Sequence, residues 1–357
     1  MKIFAINPGA TSTKIALYDG VVELWTECIT HTREELQQFK RPEDEEDLRY
    51  QAVKTELKKR NINMTELDAL VGRGGLLHAL SGGAWIINEA MIEDLKSARY
   101  GSHSSNLGAV LAQRIAKEAG NKPAYIIDPV CVDEMLPIAR ISGMPNMPRR
   151  AIFHALNQRA VAYRVARQMN KKMRECKFII AHMGGGVTVG AHYLGRVIDV
   201  NNALGGYGPM TPERAGTVHA MDLIEKCFSG KYTETEMRRK IIGDAGLFAH
   251  LGSTDFKYIS EKCASGDPKF RLIVEAFAYQ VACEIGNRSM AMKGEVDAII
   301  LTGGLAYGNY LCKLIEDRVS WLAKVIVSPG EDEQRALCEG VYRVISGQEE
   351  AKVYEKE

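Results

Sequence analysis

Short apolar stretches alternate along the chain with longer segments whose apolar positions repeat every three or four residues. The short stretches have the length of buried strands and lie at 67–71, 124–127, 296–301 and 325–327. The longer segments predict helices over 43–60, 107–119, about 149–169, 270–292 and 333–344. The polar tail, residues 348–357, is expected to extend the last helix or to fray.

Two segments, 2–20 and 177–195, carry the same pattern of an apolar strand, a turn of small residues, a second apolar strand and a closing glycine. Six of their nineteen aligned positions carry the same residue, and no gap is needed. We therefore predict two β-hairpins, one in each half of the chain. Hairpins followed by helices that alternate with short strands indicate α/β layers. The repeat suggests a duplicated domain with a phosphate-sized ligand held between the copies.

Length and composition narrow the class of protein. A chain of 357 residues is long enough for two domains with separate cores. Its formal net charge of +1 provides no basic field for nucleic acid, and no apolar run approaches the roughly 18 residues that a membrane span requires. None of the eight cysteines forms a C-x-x-C pair, and no signal peptide precedes the strand that starts at Lys2. We expect a cytoplasmic protein that binds neither nucleic acid nor membrane.

The turns of the two hairpins, 9–14 and 184–189, have the composition of phosphate-binding loops. Glycine lets the backbone approach a phosphate closely, and Ser12 and Lys14 add a hydroxyl group and a positive charge. Neither turn is a Walker loop, and neither opens a strand-to-helix dinucleotide motif. Each turn alone could be a plain β-hairpin, but their repetition at strand ends favours phosphate binding.

Single charged residues and a glycine pair follow other predicted strands. Arg73 stands between two glycines, Asp128 precedes a proline, and Arg214 lies beside a loop rich in proline and glycine. Each has a structural alternative: a turn arginine, an Asx-turn cap and a solvated helix residue. The pair Gly303-Gly304 either leaves room for a flat ring or a ribose, or makes a simple strand-to-helix turn.

Three loops, 7–14, 182–186 and 301–304, together resemble the two phosphate motifs and the adenosine motif of the sugar kinase, Hsp70 and actin superfamily. Within it, the chain resembles the acetokinase family. Phe153-His154 is similar to that family's Phe-His helix start, and residues 253–257 resemble its Ser-Asp-Phe-Arg stretch. The match runs from Met1 to about Val344, with the motifs in the family's order.

The resemblance implies an α/β fold of two duplicated actin-like (ribonuclease H-like) domains with a nucleotide cleft between them. The N-terminal domain would comprise 1–131 and 332–357 and lie on the side of the acyl substrate. The second domain would comprise 132–331 and lie on the nucleotide side.

The resemblance also implies roles for particular residues. Asn7 and Glu333 match the positions that hold Mg²⁺, with Glu331 as the alternative to Glu333. The matching catalytic positions are Arg73, Asp128, His154 and Arg214. The matching nucleotide-binding positions are Ser12, Lys14, His182, Gly184, Gly185, Gly186, Asp255, Phe256, Lys257, Gly303, Gly304 and Gly308.

Within the family, the chain resembles the butyrate kinase branch in its length and in the segments 7–8, 103–108, 128–134 and 212–216. The implied reaction is reversible phosphoryl transfer between ATP and butyrate, giving butyryl phosphate and ADP, with Mg²⁺ as cofactor. The implied partners are a small carboxylate and further copies of the chain, in a dimer or a higher oligomer.

Two alternatives stay open. One is a kinase that prefers isobutyrate, propionate or acetate. The other is a non-enzymatic, nucleotide-gated module of the actin or Hsp70 kind. Arg73, Arg214 and His154 favour an enzyme, because an ATP switch does not need an arginine pair for a second anion.

Overall fold

The computed structural model describes all 357 residues. The chain divides into two compact units, one formed by Met1–Asp133 with Asp332–Glu357 and the other by Glu134–Glu331. Each unit is built around one β-sheet, of seven strands in the first unit and five in the second. Strands and helices are numbered below in chain order.

The first unit contains the two chain ends. Its strands are β1 (Lys2–Pro8), β2 (Ser12–Asp19), β3 (Val22–Thr30), β4 (Ala69–Arg73), β5 (Ala84–Ile86), β6 (Ala124–Ile127) and β12 (Lys352–Val353). Its helices are α1 (Arg33–Gln37), α2 (Glu46–Lys59), α3 (Glu89–Lys96), α4 (Asn106–Glu118) and α13 (Glu333–Ile345).

The second unit is continuous in sequence. Its strands are β7 (Lys177–Met183), β8 (Val187–Tyr193), β9 (Arg196–Val200), β10 (Ala298–Gly303) and β11 (Val325–Pro329). Its helices are α5 (Pro137–Arg140), α6 (Ala155–Gln168), α7 (Ala220–Cys227), α8 (Glu234–Ile241), α9 (Gly246–Leu251), α10 (Phe256–Ala264), α11 (Pro268–Met290) and α12 (Asn309–Val319).

The two sheets share one topology. The order β6-β4-β1-β2-β3 in the first unit corresponds strand for strand to β11-β10-β7-β8-β9 in the second. In both, the first three strands run parallel to one another, and the last two complete an antiparallel meander. The duplicated α/β fold and both predicted hairpins are therefore confirmed, and each hairpin is extended by a third strand that the sequence pattern did not indicate.

The central strands of the first sheet are buried on both faces. Gly72 of β4 faces α4, since a Cβ atom there would lie only 2.1 Å from the carbonyl oxygen of Gly108. Ile127 of β6 faces α13, because a Cβ atom at Gly340 would lie 2.5 Å from its side chain. A strand that is covered on both sides is apolar throughout, without alternating polar residues. The first three residues of β4, Ala69, Leu70 and Val71, are accordingly fully buried.

One predicted helix is shorter than expected. Its N-terminal part, 149–154, is not helical, and α6 begins only at Ala155. The backbone of this stretch makes other hydrogen bonds: the amide of Arg149 donates to Arg140, and the carbonyl of Ile152 accepts from Ala203. These loop contacts satisfy backbone groups that a helix would have used.

The expectation for the C-terminal tail is wrong. Helix α13 ends at Ile345, and the tail then forms β12, which pairs with β5. Tyr354 is only 1% exposed. Its hydroxyl donates to Asp94 at 2.7 Å. A buried aromatic residue and a strand pairing therefore hold a segment whose polar composition suggested a frayed end.

No helix combines the length and the apolar character that crossing a bilayer would require.

Candidate functional site

The first hairpin turn lies at the end of β1. Asn7 and Lys14 are directly opposite each other in the β1–β2 pair, and the amide of Gly9 closes the turn by donating to the carbonyl of Ser12 at 2.7 Å. Helix α13 supports the hairpin, since Gln334 donates to the carbonyl of Lys14 at 2.8 Å. The Lys14 side chain is exposed. The turn is thus fixed from the protein side and accessible from solvent.

Glu333 is the first residue of α13 and has two partners from strand ends. The Asn7 amide donates to Glu333 Oε2 at 2.6 Å. The Arg73 guanidinium pairs with Glu333 Oε1. Strands β1 and β4 are parallel neighbours, so the residues that end them lie at the same edge of the sheet. Three predicted residues, Asn7, Arg73 and Glu333, therefore meet in the first unit.

Asp128 follows β6, the next parallel strand, and comes just after the residue paired with Arg73. It is 2% exposed. Its carboxylate accepts from the amide of Gly83 at 2.6 Å, and its own amide donates to the Gly83 carbonyl at 3.0 Å. Its φ of 40° lies in the left-handed region, which Asp adopts more readily than most residues. Asp128 is thus held rigidly at the same sheet edge.

The donor set around Glu333 fits one kind of metal. No group of three or more His, Cys, Asp or Glu side chains that could hold an ion is present. One carboxylate beside the Asn7 amide group cannot form an all-protein cage. Such a set does suit Mg²⁺, which keeps several waters and is usually bound by one or two carboxylates together with substrate phosphates.

In the second unit, the side chains of Arg214 and His154 converge on the turn of the second hairpin. A Cβ atom at Gly186 would lie 2.8 Å from Arg214 Nη1 and 3.2 Å from His154 Cε1. A Cβ atom at this position would therefore push both side chains away from the backbone. Arg214 Nη1 donates to the carbonyl of Ala203 at 3.0 Å, whereas its Nε atom is buried without a hydrogen-bond partner. A buried, unpartnered guanidinium donor is suited to receiving an anion.

A chain of buried side chains orients His154. Its Nδ1 atom lies 2.9 Å from Thr188 Oγ1, which accepts from Gln158 at 2.9 Å. The Gln158 carbonyl oxygen in turn lies 2.9 Å from His192 Nε2. Burial, with a smaller contribution from the charge of Arg159, lowers the pKa of His192 to about 3. His192 is therefore neutral at physiological pH and acts as a hydrogen-bonding support.

His182 of β7 pairs with Thr188 of β8, and its ring stacks on that of His154. The ring centroids are 4.1 Å apart and the planes are inclined by 23°. His182 Nε2 lies 3.1 Å from Glu331 Oε2, although the geometry is not that of a hydrogen bond. Glu331 thus faces His182 in the second unit, whereas Glu333 faces Asn7 in the first. The two candidate acidic residues occupy different surroundings.

The predicted adenosine segments also come together in the second unit. Gly303 has a φ of 89°, and a Cβ atom there would lie 2.4 Å from the carbonyl oxygen of Met183, the residue before Gly184. Phe256 packs against Gly308, where a Cβ atom would lie 2.7 Å from the ring. The Met183 backbone at Gly303 and the Phe256 ring at Gly308 leave no room for a larger residue at either position.

Asp255 has a structural task as well as its predicted one. It is the N-cap of α10 and accepts from the amides of Lys257 and Tyr258 at 2.9 and 3.3 Å. The sequence did not reveal Thr188 and His192 as site residues. Both are buried in β8, where Thr188 lies at the end of the second turn and His192 lies beyond it, and neither was singled out from the sequence.

A cavity of about 400 Å³ lies between α7 and α8, and none of the predicted residues lines it. The candidate site consists instead of strand ends and glycine turns in each unit.

Comparison with known structures agrees with this fold. Acetate kinase from Porphyromonas gingivalis matches with a TM-score of 0.75 and 18% sequence identity, covering 96% of this chain and 99% of that one. A propionate kinase from Francisella tularensis matches with a TM-score of 0.72 and 16% identity, covering 95% and 98%. Acetate kinase from Entamoeba histolytica matches with a TM-score of 0.72 and 15% identity, covering 95% and 98%.

The sequence itself matches the model of one protein family, the acetokinase family, over residues 145–351. This span is more than half of the chain and contains the second hairpin, both adenosine segments and Glu333. The chain therefore belongs to the acetokinase family.

Proposed function

We propose that this protein is an ATP-dependent kinase of short-chain carboxylic acids that interconverts ATP and butyrate with ADP and butyryl phosphate. The observation that carries the proposal is the convergence of Arg214 and His154 on Gly186, where a buried guanidinium donor remains unpartnered. Membership of the acetokinase family and the cluster of Asn7, Arg73 and Glu333 support it.

The chemistry explains why cationic groups are needed and a general base is not. A carboxylic acid has a pKa of about 4 and is already ionised at neutral pH. Its oxygen attacks the γ-phosphorus, the bond to the β-phosphate oxygen breaks, and ADP leaves. The main obstacle is repulsion between an anion and a polyanion. Arg73, Arg214 and His154 reduce that repulsion and position the reacting groups.

The remaining predicted residues have supporting roles in this proposal. When bound, Mg²⁺ would neutralise charge on the nucleotide phosphates, and Asn7 and Glu333 would hold it. Asp128 would orient neighbouring groups rather than remove a proton, because an ionised carboxylate substrate has no proton to lose.

The nucleotide would be bound largely by backbone. Ser12 and Lys14 of the first turn, and His182 with Gly184, Gly185 and Gly186 of the second, would contact its phosphates. The segments Asp255–Lys257 and Gly303–Gly308 would contact adenosine, and the packing of the Phe256 ring on Gly308 brings the two segments together.

Butyrate is the proposed substrate because the chain resembles the butyrate kinase branch in several motifs. The structural neighbours are acetate and propionate kinases of at most 18% identity, a similarity that concerns the fold. One methylene group is worth only about 1–3 kcal/mol in an apolar pocket, so related acids should also react, but less well.

Hydroxylamine trapping tests the proposal, because it converts an acyl phosphate into a coloured hydroxamate. The protein is incubated with ATP, Mg²⁺ and each linear acid from two to six carbons, and with isobutyrate. We expect hydroxamate with kcat/KM highest for butyrate. A maximum at another acid would reject butyrate, and nucleotide binding without hydroxamate from any acid would indicate a nucleotide-gated module instead.

The proposal includes self-association as a dimer or higher oligomer and a cytoplasmic location. Light scattering coupled to size-exclusion chromatography tests the first part, and a mass equal to one 39.5 kDa chain would contradict it.

A further inference from the structure

Arg49 is a fully buried charged residue that the proposed reaction does not use. It lies on α2, and its side chain is 0% exposed. The carboxylate of Glu45, one helical turn earlier, lies 2.7 Å from its Nη2 atom and 2.8 Å from its Nε atom. A buried guanidinium is stable only when its donors are satisfied, so its other partners reveal what it does.

Those partners all belong to the first phosphate turn. Arg49 donates to the carbonyl of Ser12 at 2.8 Å and to that of Ala10 at 3.2 Å. It also donates to the Thr13 hydroxyl at 3.0 Å. The Thr11 carbonyl between them accepts from the amide of His31 at 2.9 Å. Three successive carbonyl groups of the turn are thus bonded to the body of the first unit.

This arrangement determines where the amides of the turn point. A trans peptide group is planar, so its N–H is directed away from its C=O. Because the Ala10 and Thr11 carbonyls face Arg49 and His31, the N–H groups of Thr11 and Ser12 point to the opposite side. Outward N–H groups beside small residues are the groups that bind phosphate oxygens.

We propose that Arg49, held by Glu45, is a positioning residue that fixes the backbone of the first turn so that its amides face the nucleotide phosphates. This inference rests on the proposed kinase function. Arg49 does not touch the nucleotide and acts through residues 10–13.

His31 completes the support without adding charge. Its Nε2 atom lies 2.8 Å from the Thr13 hydroxyl. Burial, together with the charge of Arg49, lowers the pKa of His31, which keeps the ring neutral. The Arg49–Glu45 pair is thus the ion pair beneath the turn. Buried ion pairs add little net stability over apolar residues of similar volume, so a positional role accounts better for its presence.

The test compares three variants of the full chain. The double variant Arg49→Met/Glu45→Gln removes both charges and leaves no unpaired buried carboxylate. Arg49→Lys keeps the charge but loses the planar fork that reaches several acceptors. The control Arg114→Met removes a partly exposed arginine of α4 that pairs with Asp47 at 2.6 Å and does not contact the turn.

Two readouts separate positioning from mere stability. We expect the KM for ATP to rise about ten-fold or more in the double variant and in Arg49→Lys, while the KM for butyrate changes less than two-fold. Amide hydrogen exchange of residues 9–14 should become faster in both variants and remain as in the wild type in Arg114→Met. Arg49→Lys provides the result if the double variant does not fold.

An unchanged KM for ATP together with unchanged exchange of residues 9–14 in a folded variant would overturn the inference. The exchange measurement requires no turnover. If the wild-type protein makes no acyl phosphate, the kinase proposal fails, while the exchange data still decide whether Arg49 holds the turn.

Discussion

At the scale of single residues, the side chains that end parallel strands form the candidate chemistry of the first unit. Asn7, Arg73 and Asp128 each follow an apolar run, and this position could be read from the sequence. The contacts that these residues make could not be read from the sequence pattern. The family resemblance placed Asn7 and Glu333 at one metal site, but only the fold shows the hydrogen bond that joins them across 326 positions.

In the second unit too, the candidate residues could be identified from the sequence, but the side chains that support them could not. Arg214 and His154 could be proposed from their motifs, but the support of His154 by Thr188, Gln158 and His192 could not. Buried polar residues within apolar strands and helices have no periodic signal of their own.

Removal of either cationic residue should impair turnover strongly. We expect Arg73→Ala or Arg214→Ala to lower kcat roughly 10²–10³-fold, about 2.7–4 kcal/mol, as for other preorganised groups that stabilise developing charge. Steady-state kinetics measures the loss, and circular dichroism checks that the variants fold. Arg238→Ala is the control, since that side chain is 77% exposed and pairs only with Glu234 at 2.7 Å. Near-normal turnover in a folded Arg214→Ala protein would remove that residue from the site.

The two acidic candidates for the metal can be separated by titration. Glu333→Gln should raise the Mg²⁺ concentration for half-maximal activity about ten-fold or more, because it removes the carboxylate held by Asn7 and Arg73. Glu331→Gln, the matched change two residues earlier, should alter it less than two-fold. The opposite order would assign the metal to Glu331.

The buried His192 makes stability depend on pH. Its pKa is about 3 in the folded state and about 6.5 when unfolded. Between these values the unfolded chain binds the additional proton, so stability falls as pH decreases below 6.5. The slope from this group is about 1.4 kcal/mol per pH unit.

His192→Gln should remove that contribution while keeping a neutral hydrogen-bonding group next to Gln158. Urea unfolding at pH 7 and pH 5 measures it: the wild type should lose more stability between the two values than the variant does. The exposed His219→Gln is the control. An equal loss in His192→Gln and the wild type would show that the histidine is protonated in the folded protein.

At the scale of elements, α4 packs backbone against backbone on β4. A Cβ atom at Gly108 would lie 2.2 Å from the Arg73 carbonyl oxygen, and one at Gly72 would meet α4 equally closely. Helix α4 therefore determines the position of Arg73 through contact with its main chain.

Gly108→Ala should accordingly destabilise the protein by about 1–3 kcal/mol and reduce turnover through displacement of Arg73. Gly286→Ala in α11 is the matched change, because a Cβ atom there would meet no other atom within 4 Å and the substitution should instead stabilise the helix by about 1 kcal/mol. Thermal unfolding of both variants measures the difference. A Gly108→Ala protein with unchanged melting temperature and turnover would contradict the close contact.

Strands differed in how well the sequence revealed them. The inner strands are apolar runs and were predicted. Strand β3 was not, because the apolar residues Val22 and Leu24 share its exposed positions with Glu23, so polar and apolar residues do not alternate clearly along it. An edge strand with one solvated face carries a weaker signal than a buried one.

At the scale of the whole molecule, the duplication was visible in sequence because the two hairpins kept their glycines and their length. The return of the chain to the first unit was implied by the family resemblance, but the hydrophobic pattern gives no sign of it. Helix α13 and strand β12 join that unit although nearly 200 residues of the second unit intervene. Pairing between β12 and β5 involves two residues on each side, too few to recognise by pattern.

The most direct test of the central claim follows the carboxylate oxygen during the reaction. The protein is incubated with ATP, Mg²⁺ and butyrate labelled with ¹⁸O in its carboxylate, and the product is observed by ³¹P nuclear magnetic resonance. Direct transfer predicts ADP together with a butyryl phosphate resonance shifted by one bridging ¹⁸O atom. Formation of ADP and unlabelled inorganic phosphate without any acyl phosphate would contradict it.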